Sequence, residues 1–130
     1  MLMNTIEHFV NGTKFSGESK RTSKAFNPAT GEQTAQVKLA SVKDVDIAVQ
    51  VAKKTFVSWS NRSPLQRARV MFKFKELIEK NSEELTKIIV CEHGKVFDDA
   101  KGELTRGLEV VEFACGIPQL LKGEFTENVG

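Results

Sequence analysis

The sequence predicts an α/β chain, an N-terminal β-hairpin and a short strand followed by about four helices, on three observations. Asn11-Gly12 sits between two short β-prone runs, and residues 33–39 alternate apolar and polar side chains. From Ser41 onward, polar capping residues recur, each followed by apolar residues at three- and four-residue spacing. No internal repeat or low-complexity segment interrupts this order.

Residues 6–10 and 13–17 flank Asn11 and Gly12, both of which tolerate the positive φ of a type I′ turn. On that pairing Ile6, His8, Val10 and Phe15 share one face. His8 has no second His or Cys at metal-ligand spacing and reads as a half-buried strand histidine. A two-stranded hairpin is marginal in water, so this one must dock on another element. Residues 19–22 read as loop, and residues 26–31 as a turn built on Asn27-Pro28 and Thr30-Gly31. Residues 33–39 read as a strand with Ala35, Val37 and Leu39 on one side.

Ser41 is a helix N-cap with Asp44 three residues on, close to a capping box, and Val45, Ala48, Val49, Ala52, Phe56 and Trp59 line one face. Ser63-Pro64 starts the second helix with a cap and a first-turn proline. Its expected buried stripe is Val70, Met71, Phe74, Leu77 and Ile78, with Arg69, Lys73 and Glu76 facing away. Asn81-Ser82 caps the third helix, whose Leu85, Ile88 and Ile89 point inward before Gly94 ends it in a left-handed turn. Asp98 reads as the cap of the fourth helix, and Gly116 with Pro118 as its end. Along that helix Leu104, Leu108, Val111 and Cys115 form one apolar stripe. Val110 and Phe113 form a second apolar surface, on the side where Glu103 and Arg106 project, so the helix needs two partners. Beyond Pro118 the polar, glycine-containing tail loses helical period, and the one domain boundary is placed there.

With 19 Lys and Arg against 17 Asp and Glu, the net charge of +2 gives no field that points to nucleic acid or an anionic membrane. The densest basic group, Lys20, Arg21 and Lys24, falls in the expected loop and reads as solvated. The start of the chain lacks a secretory or mitochondrial leader pattern, and no apolar run approaches the ~20 residues needed to span a bilayer. Cys91 and Cys115 both fall inside expected helices, which suggests free thiols in a reducing compartment and a cytoplasmic protein.

A catalytic cysteine needs an exposed, electropositive setting, whereas Cys91 follows Ile88-Ile89-Val90 and Cys115 follows Phe113-Ala114, so both read as small buried residues. Two cysteines and two histidines without C-x-x-C or H-x-x-x-H spacing imply no metal. Asp98, Asp99 and Glu103 sit in the first turns of a helix, where acidic residues favour the positive end of the dipole, and read as structural. No G-x-G-x-x-G follows a strand and no G-x-x-x-x-G-K-S/T occurs, so the chain offers no dinucleotide site of its own. Arg106, read from its residues alone, could pair at the surface with Glu103 or Glu109, an interaction of ~0.2–0.5 kcal/mol. Sharing a face with Val110 and Phe113 is unusual for such a residue.

The run Glu92-x-Gly94-Lys95, then Ala100-x-Gly102-Glu103, Arg106 to Gly116 as R-G-L-E-V-V-E-F-A-C-G, and Leu120-Leu121-Lys122-Gly123-Glu124 resembles the NAD-dependent aldehyde dehydrogenases. Among these it is most similar to the CoA-acylating methylmalonate-semialdehyde dehydrogenases. Asn27-Pro28-Ala29-Thr30 and Phe56-Val57-Ser58-Trp59 match further family motifs, and Val96 stands where relatives more often carry Thr or Pro. The resemblance implies that the 130 residues are the front portion of such an enzyme, a truncated piece of its fold. Residues 1–118 would belong to the NAD-binding domain, and 119–130 would start the strand segment of the oligomerisation unit, with a frayed end. It implies oxidation of methylmalonate or malonate semialdehyde with NAD and CoA to propionyl-CoA or acetyl-CoA and CO2. The catalytic cysteine, general-base glutamate and NAD site would lie outside this chain, in a homo-oligomer, a tetramer when full length. It also implies a role for Arg106, gripping the substrate carboxylate, which suits a guanidinium fork. The alternatives are a related aldehyde dehydrogenase acting on succinate semialdehyde or betaine aldehyde, and a non-catalytic helical interaction module.

Overall fold

A computed structural model describes residues 4–124. In chain order it contains β1 (Asn4–Ile6), β2 (His8–Val10), β3 (Thr13–Phe15), β4 (Thr22–Phe26) and β5 (Gln33–Lys38). The helices α1 (Val42–Ser60), α2 (Pro64–Lys80), α3 (Ser82–His93), α4 (Phe97–Cys115) and the one-turn α5 (Ile117–Leu120) follow. The α/β class and the order of strands before helices are those expected. Two compact units result, one holding the chain up to Asn61 with Ile89–Lys95, the other Arg62–Ile88 and the chain from Val96 onward.

In the first unit Asn11 and Gly12 adopt φ of 55° and 76°, the two positive values of a type I′ turn, and Val10 stands opposite Thr13. His8 is opposite Phe15 and half-buried, as expected, with the two rings 6.2 Å apart. The strand expected over 6–10 divides at Glu7. Ile6 leaves the hairpin and pairs in parallel with Val37, so it does not share the hairpin face. β5 thereby becomes the centre of a β1-β5-β4 sheet, and its Ala35 is buried.

β4 is the strand that sequence reading missed. Thr22, Ser23 and Lys24 are exposed on an edge, so no apolar alternation marks them, and their pairing comes from the antiparallel backbone of β5. Lys24 therefore sits in a strand, and Arg21, just before it, donates from Nη2 to the Ala40 carbonyl at 2.9 Å. The turn read over 26–31 forms over 27–31, with Phe26 ending β4, and is closed by the Gly31 amide donating to the Asn27 carbonyl at 2.8 Å.

α1 begins in a full capping box. The Asp44 amide donates to Ser41 Oγ at 3.1 Å, and Asp44 Oδ2 accepts from the Ser41 amide at 2.7 Å. Its inward face is rotated from the expected one. Asp44 is buried and Ile47, Ala48 and Val51 half-buried, whereas Val45, Val49, Ala52 and Phe56 are exposed. The helix carries two apolar stripes, and the one with the smaller side chains, in register with the capping acid, is the one that turns inward.

In the second unit α2 packs on α4 and α5. The α4 stripe is as expected, with Leu104, Leu108 and Val111 half-buried and Cys115 buried. On α2 the covered residues are Arg67, Ala68, Met71, Lys75 and Ile78, while Val70, Phe74 and Leu77 stay exposed, a correction to the expected stripe. Lys75 lays its aliphatic stem along this seam and carries its ammonium to Glu79 at 2.6 Å and Glu112 at 4.0 Å. The hydrogen bond to Glu79 raises its pKa.

α3 ends at Gly94, φ 79°, whose amide donates to the Val90 carbonyl at 2.8 Å. α4 is capped by Val96, with no side-chain bond, rather than by Asp98. Asp98 and Asp99 lie inside its first turn, where the dipole favours them without capping geometry. Gly116 ends α4 in a right-handed conformation, and the chain turns into α5 with Pro118 in its first turn. Residues 119 and 120 are therefore helical, and the strand expected toward 130 falls largely on residues 125–130, outside those described.

Candidate functional site

The outward face of α4 is the part of the molecule with a candidate site. Nineteen residues of helix place Gly102, Arg106, Val110 and Phe113 along one side at spacings of four, four and three. Val110 and Phe113 are 68% and 69% exposed, and Arg106 is exposed beside them. Among the described residues no carboxylate lies at ion-pair distance from Arg106, although Glu109 stands one turn away on the same helix. The surface pairing that its sequence neighbours permit is thus not formed. The side chain leans toward the helix N-terminus, and its Nη1 lies 3.5 Å from where a Cβ on Gly102 would stand. Arg106 is the residue of this face that the sequence singles out, and Gly102 stands four residues before it.

The cysteines divide. Cys115 is buried as expected, but Cys91 is exposed. On α3 the inward residues are Leu85, Thr86, Ile89 and Val90, and Cys91 falls on the opposite side with Glu84 and Lys87. Among the described residues no cluster of His, Cys, Asp and Glu could hold a metal ion, and no helix is long and apolar enough to cross a membrane.

A dinucleotide needs a strand leading into a helix whose first amides are open to the pyrophosphate. The helix that follows β5 does not fit. Its N-terminus is filled by Ser41 and by the carboxylate of Asp44, which is 3% exposed and would repel a phosphate. Asp44 also accepts from the Glu18 amide at 2.8 Å. The Ser41 amide, then the Glu18 amide and the Ser41 hydroxyl, stabilise its charged form and lower its pKa to about 2.

A short mixed sheet and hairpin followed by long helices define an α/β segment, and one of its helices carries an exposed arginine on an apolar face, unpaired among the described residues. The model of the aldehyde dehydrogenase family matches residues 15–129. The chain is 44% identical to the malonate-semialdehyde dehydrogenase of Pseudomonas aeruginosa, over 98% of this chain and 26% of that one. Its fold superposes on the crystal structure of methylmalonate-semialdehyde dehydrogenase from Oceanimonas doudoroffii with a TM-score of 0.93 and 52% identity, covering 98% of this chain and 26% of that one. A Sinorhizobium meliloti protein assigned to the same activity and complexed with NAD gives a TM-score of 0.94 at 48% identity, over 99% of this chain and 26% of that one. The chain belongs to the aldehyde dehydrogenase family. It spans about a quarter of the length of these relatives and corresponds to the N-terminal part of their fold.

Proposed function

We propose that this chain is the N-terminal segment of an NAD-dependent enzyme that oxidises methylmalonate or malonate semialdehyde, with CoA as co-substrate, and that Arg106 grips the substrate carboxylate. The observation that carries this reading is an exposed arginine, unpaired among the described residues, on an apolar helix face. It occurs in a chain about half identical to a methylmalonate-semialdehyde dehydrogenase. Both semialdehydes carry a carboxylate beside the reacting aldehyde, and a guanidinium offers that group two parallel charge-assisted donors. An apolar surround strengthens the pair by excluding water, which Val110 and Phe113 supply on one side.

This segment contributes scaffold and one substrate contact. Residues 1–118 belong to the front of the NAD-binding domain, and 119–130 lead into the oligomerisation strand of a tetramer. NAD, CoA and the nucleophilic cysteine are held by residues outside it, in keeping with the filled N-terminus of α1. Two free cysteines support a reducing, cytoplasmic setting.

The test is Arg106→Ala in a full-length enzyme carrying this segment. Loss of a desolvated charged contact predicts a fall in kcat/KM of ~2–4 kcal/mol, about one and a half to three powers of ten, with methylmalonate semialdehyde. Propionaldehyde, which lacks the carboxylate, should lose little. Lys should restore only part, since it keeps the charge but not the fork. Equal losses on both aldehydes would mean that Arg106 serves the helix and not the substrate.

A further inference from the structure

α4 contains two interior glycines, Gly102 and Gly107. Glycine is disfavoured inside a helix relative to alanine, and neither residue has a positive φ, so the backbone does not require glycine at either place. Gly107 has nothing within 4 Å of the position a Cβ would take. At Gly102 one atom stands there, Nη1 of Arg106 at 3.5 Å. Gly102 is half-buried, and Arg106 lies one turn further on. Because helical side chains lean toward the N-terminus and over the residue four positions back, whatever occupies 102 is the surface on which the arginine rests.

We infer that Gly102 is a positioning residue that seats Arg106 and thereby sets the preference for aldehydes that carry a carboxylate. With hydrogen at 102, the guanidinium lies back over bare backbone and keeps one orientation of its fork. A methyl group would meet it at ordinary van der Waals distance. A branched side chain would take up the space of the guanidinium and turn it away. Bidentate recognition is sensitive to such a displacement, because both N–H donors must stay in the plane of the bound carboxylate. The inference rests on the reading of Arg106 given above.

The experiment compares Gly102→Ala, Gly102→Val and Gly102→Leu in the full-length enzyme, with kcat and KM measured for methylmalonate semialdehyde and for propionaldehyde. Val and Leu should lower the ratio of the two kcat/KM values about tenfold or more, mainly through a higher KM for the semialdehyde. Ala should keep that ratio within about threefold. Unchanged turnover of propionaldehyde reports that the variants are folded, and Leu carries no helix-propensity penalty relative to Gly. In the Arg106→Ala background, Gly102→Leu should change the ratio no further. If Val and Leu leave the ratio intact while Arg106→Ala collapses it, Gly102 is no seat, and the reading of Arg106 survives. An equal effect of Leu with and without the arginine would overturn the inference too, since the residue would then act elsewhere. Should Arg106→Ala itself leave the ratio unchanged, both readings fall together.

Discussion

Asp44 holds the residues after the hairpin to the first helix. Its carboxylate accepts from the Ser41 amide at 2.7 Å, the Ser41 hydroxyl at 2.8 Å and the Glu18 amide at 2.8 Å. Gly17 passes so close, with a would-be Cβ 2.9 Å from Oδ2 and φ 69°, that no other residue fits there unstrained. The folded-state pKa lies at about 2, below the ordinary aspartate value of 3.8. The stabilisation is therefore fully present above the unfolded value and is lost as pH falls from about 4 through about 2. Thermal melts of the chain down that range should show Tm dropping in the wild type. Asp44→Asn should start lower at neutral pH, because an amide N–H would face one of those donors, and should lose this pH dependence. A variant that melts with the wild-type pH profile would show that another carboxylate governs it. The capping box was legible in the sequence, because Ser41 and Asp44 are three residues apart. The bond to Glu18, 26 residues upstream, was not, since nothing in local spacing encodes it. Arg106 stands out in the sequence by the apolar residues on its face, and the four-residue spacing from Gly102 is visible there too.

At the scale of elements, turns and caps were the readable parts, because each depends on one or two residue types. The Asn11-Gly12 turn, the Ser41 and Ser63 caps and the Gly94 stop all stand where the sequence places them. The failures were β4, a polar edge strand defined only by its partner, the α4 cap at Val96 rather than Asp98, the exposed Cys91, and the faces of α1 and α2. Each of those helices carries two apolar stripes, and hydrophobicity alone does not decide which meets the neighbour. Gly12 and Gly94 offer a comparison. Both have φ near 75–80°, a conformation that costs an L-residue ~1–2 kcal/mol. A Cβ on Gly12 would meet nothing within 4 Å, whereas one on Gly94 would stand 3.1 Å from Cγ of Pro28. Gly94→Ala should therefore destabilise more than Gly12→Ala in denaturant titrations. Equal losses would show that Pro28 yields without cost. Ser63→Ala, which removes the hydroxyl that accepts from the Gln66 amide at 3.2 Å, should cost ~1 kcal/mol.

At the scale of the whole molecule, the size of the buried side chains decides how the chain behaves alone. Among the described residues the buried apolar ones are Ala35, Ala68, Ala100 and Cys115, all small. Phe56, Val57 and Phe9 of the first unit and Val110, Phe113 and Leu120 of the second are each more than 60% exposed. Isolated exposed apolar residues are ordinary, but contiguous ones on helix faces are not, and they drive association. The 130-residue chain by itself should bind an apolar dye such as ANS and form dimers or larger assemblies, whereas a full-length enzyme carrying it should do neither beyond its native oligomer. It should also give no heat on titration with NAD, since Asp44 fills the helix terminus that a pyrophosphate would need. A micromolar dissociation constant for NAD would place the cofactor site within these residues. A monodisperse monomer with a sharp unfolding transition and no dye binding would mean that small side chains suffice for its core. In that case the outward faces of α1, α2 and α4 would belong to a self-sufficient interaction module.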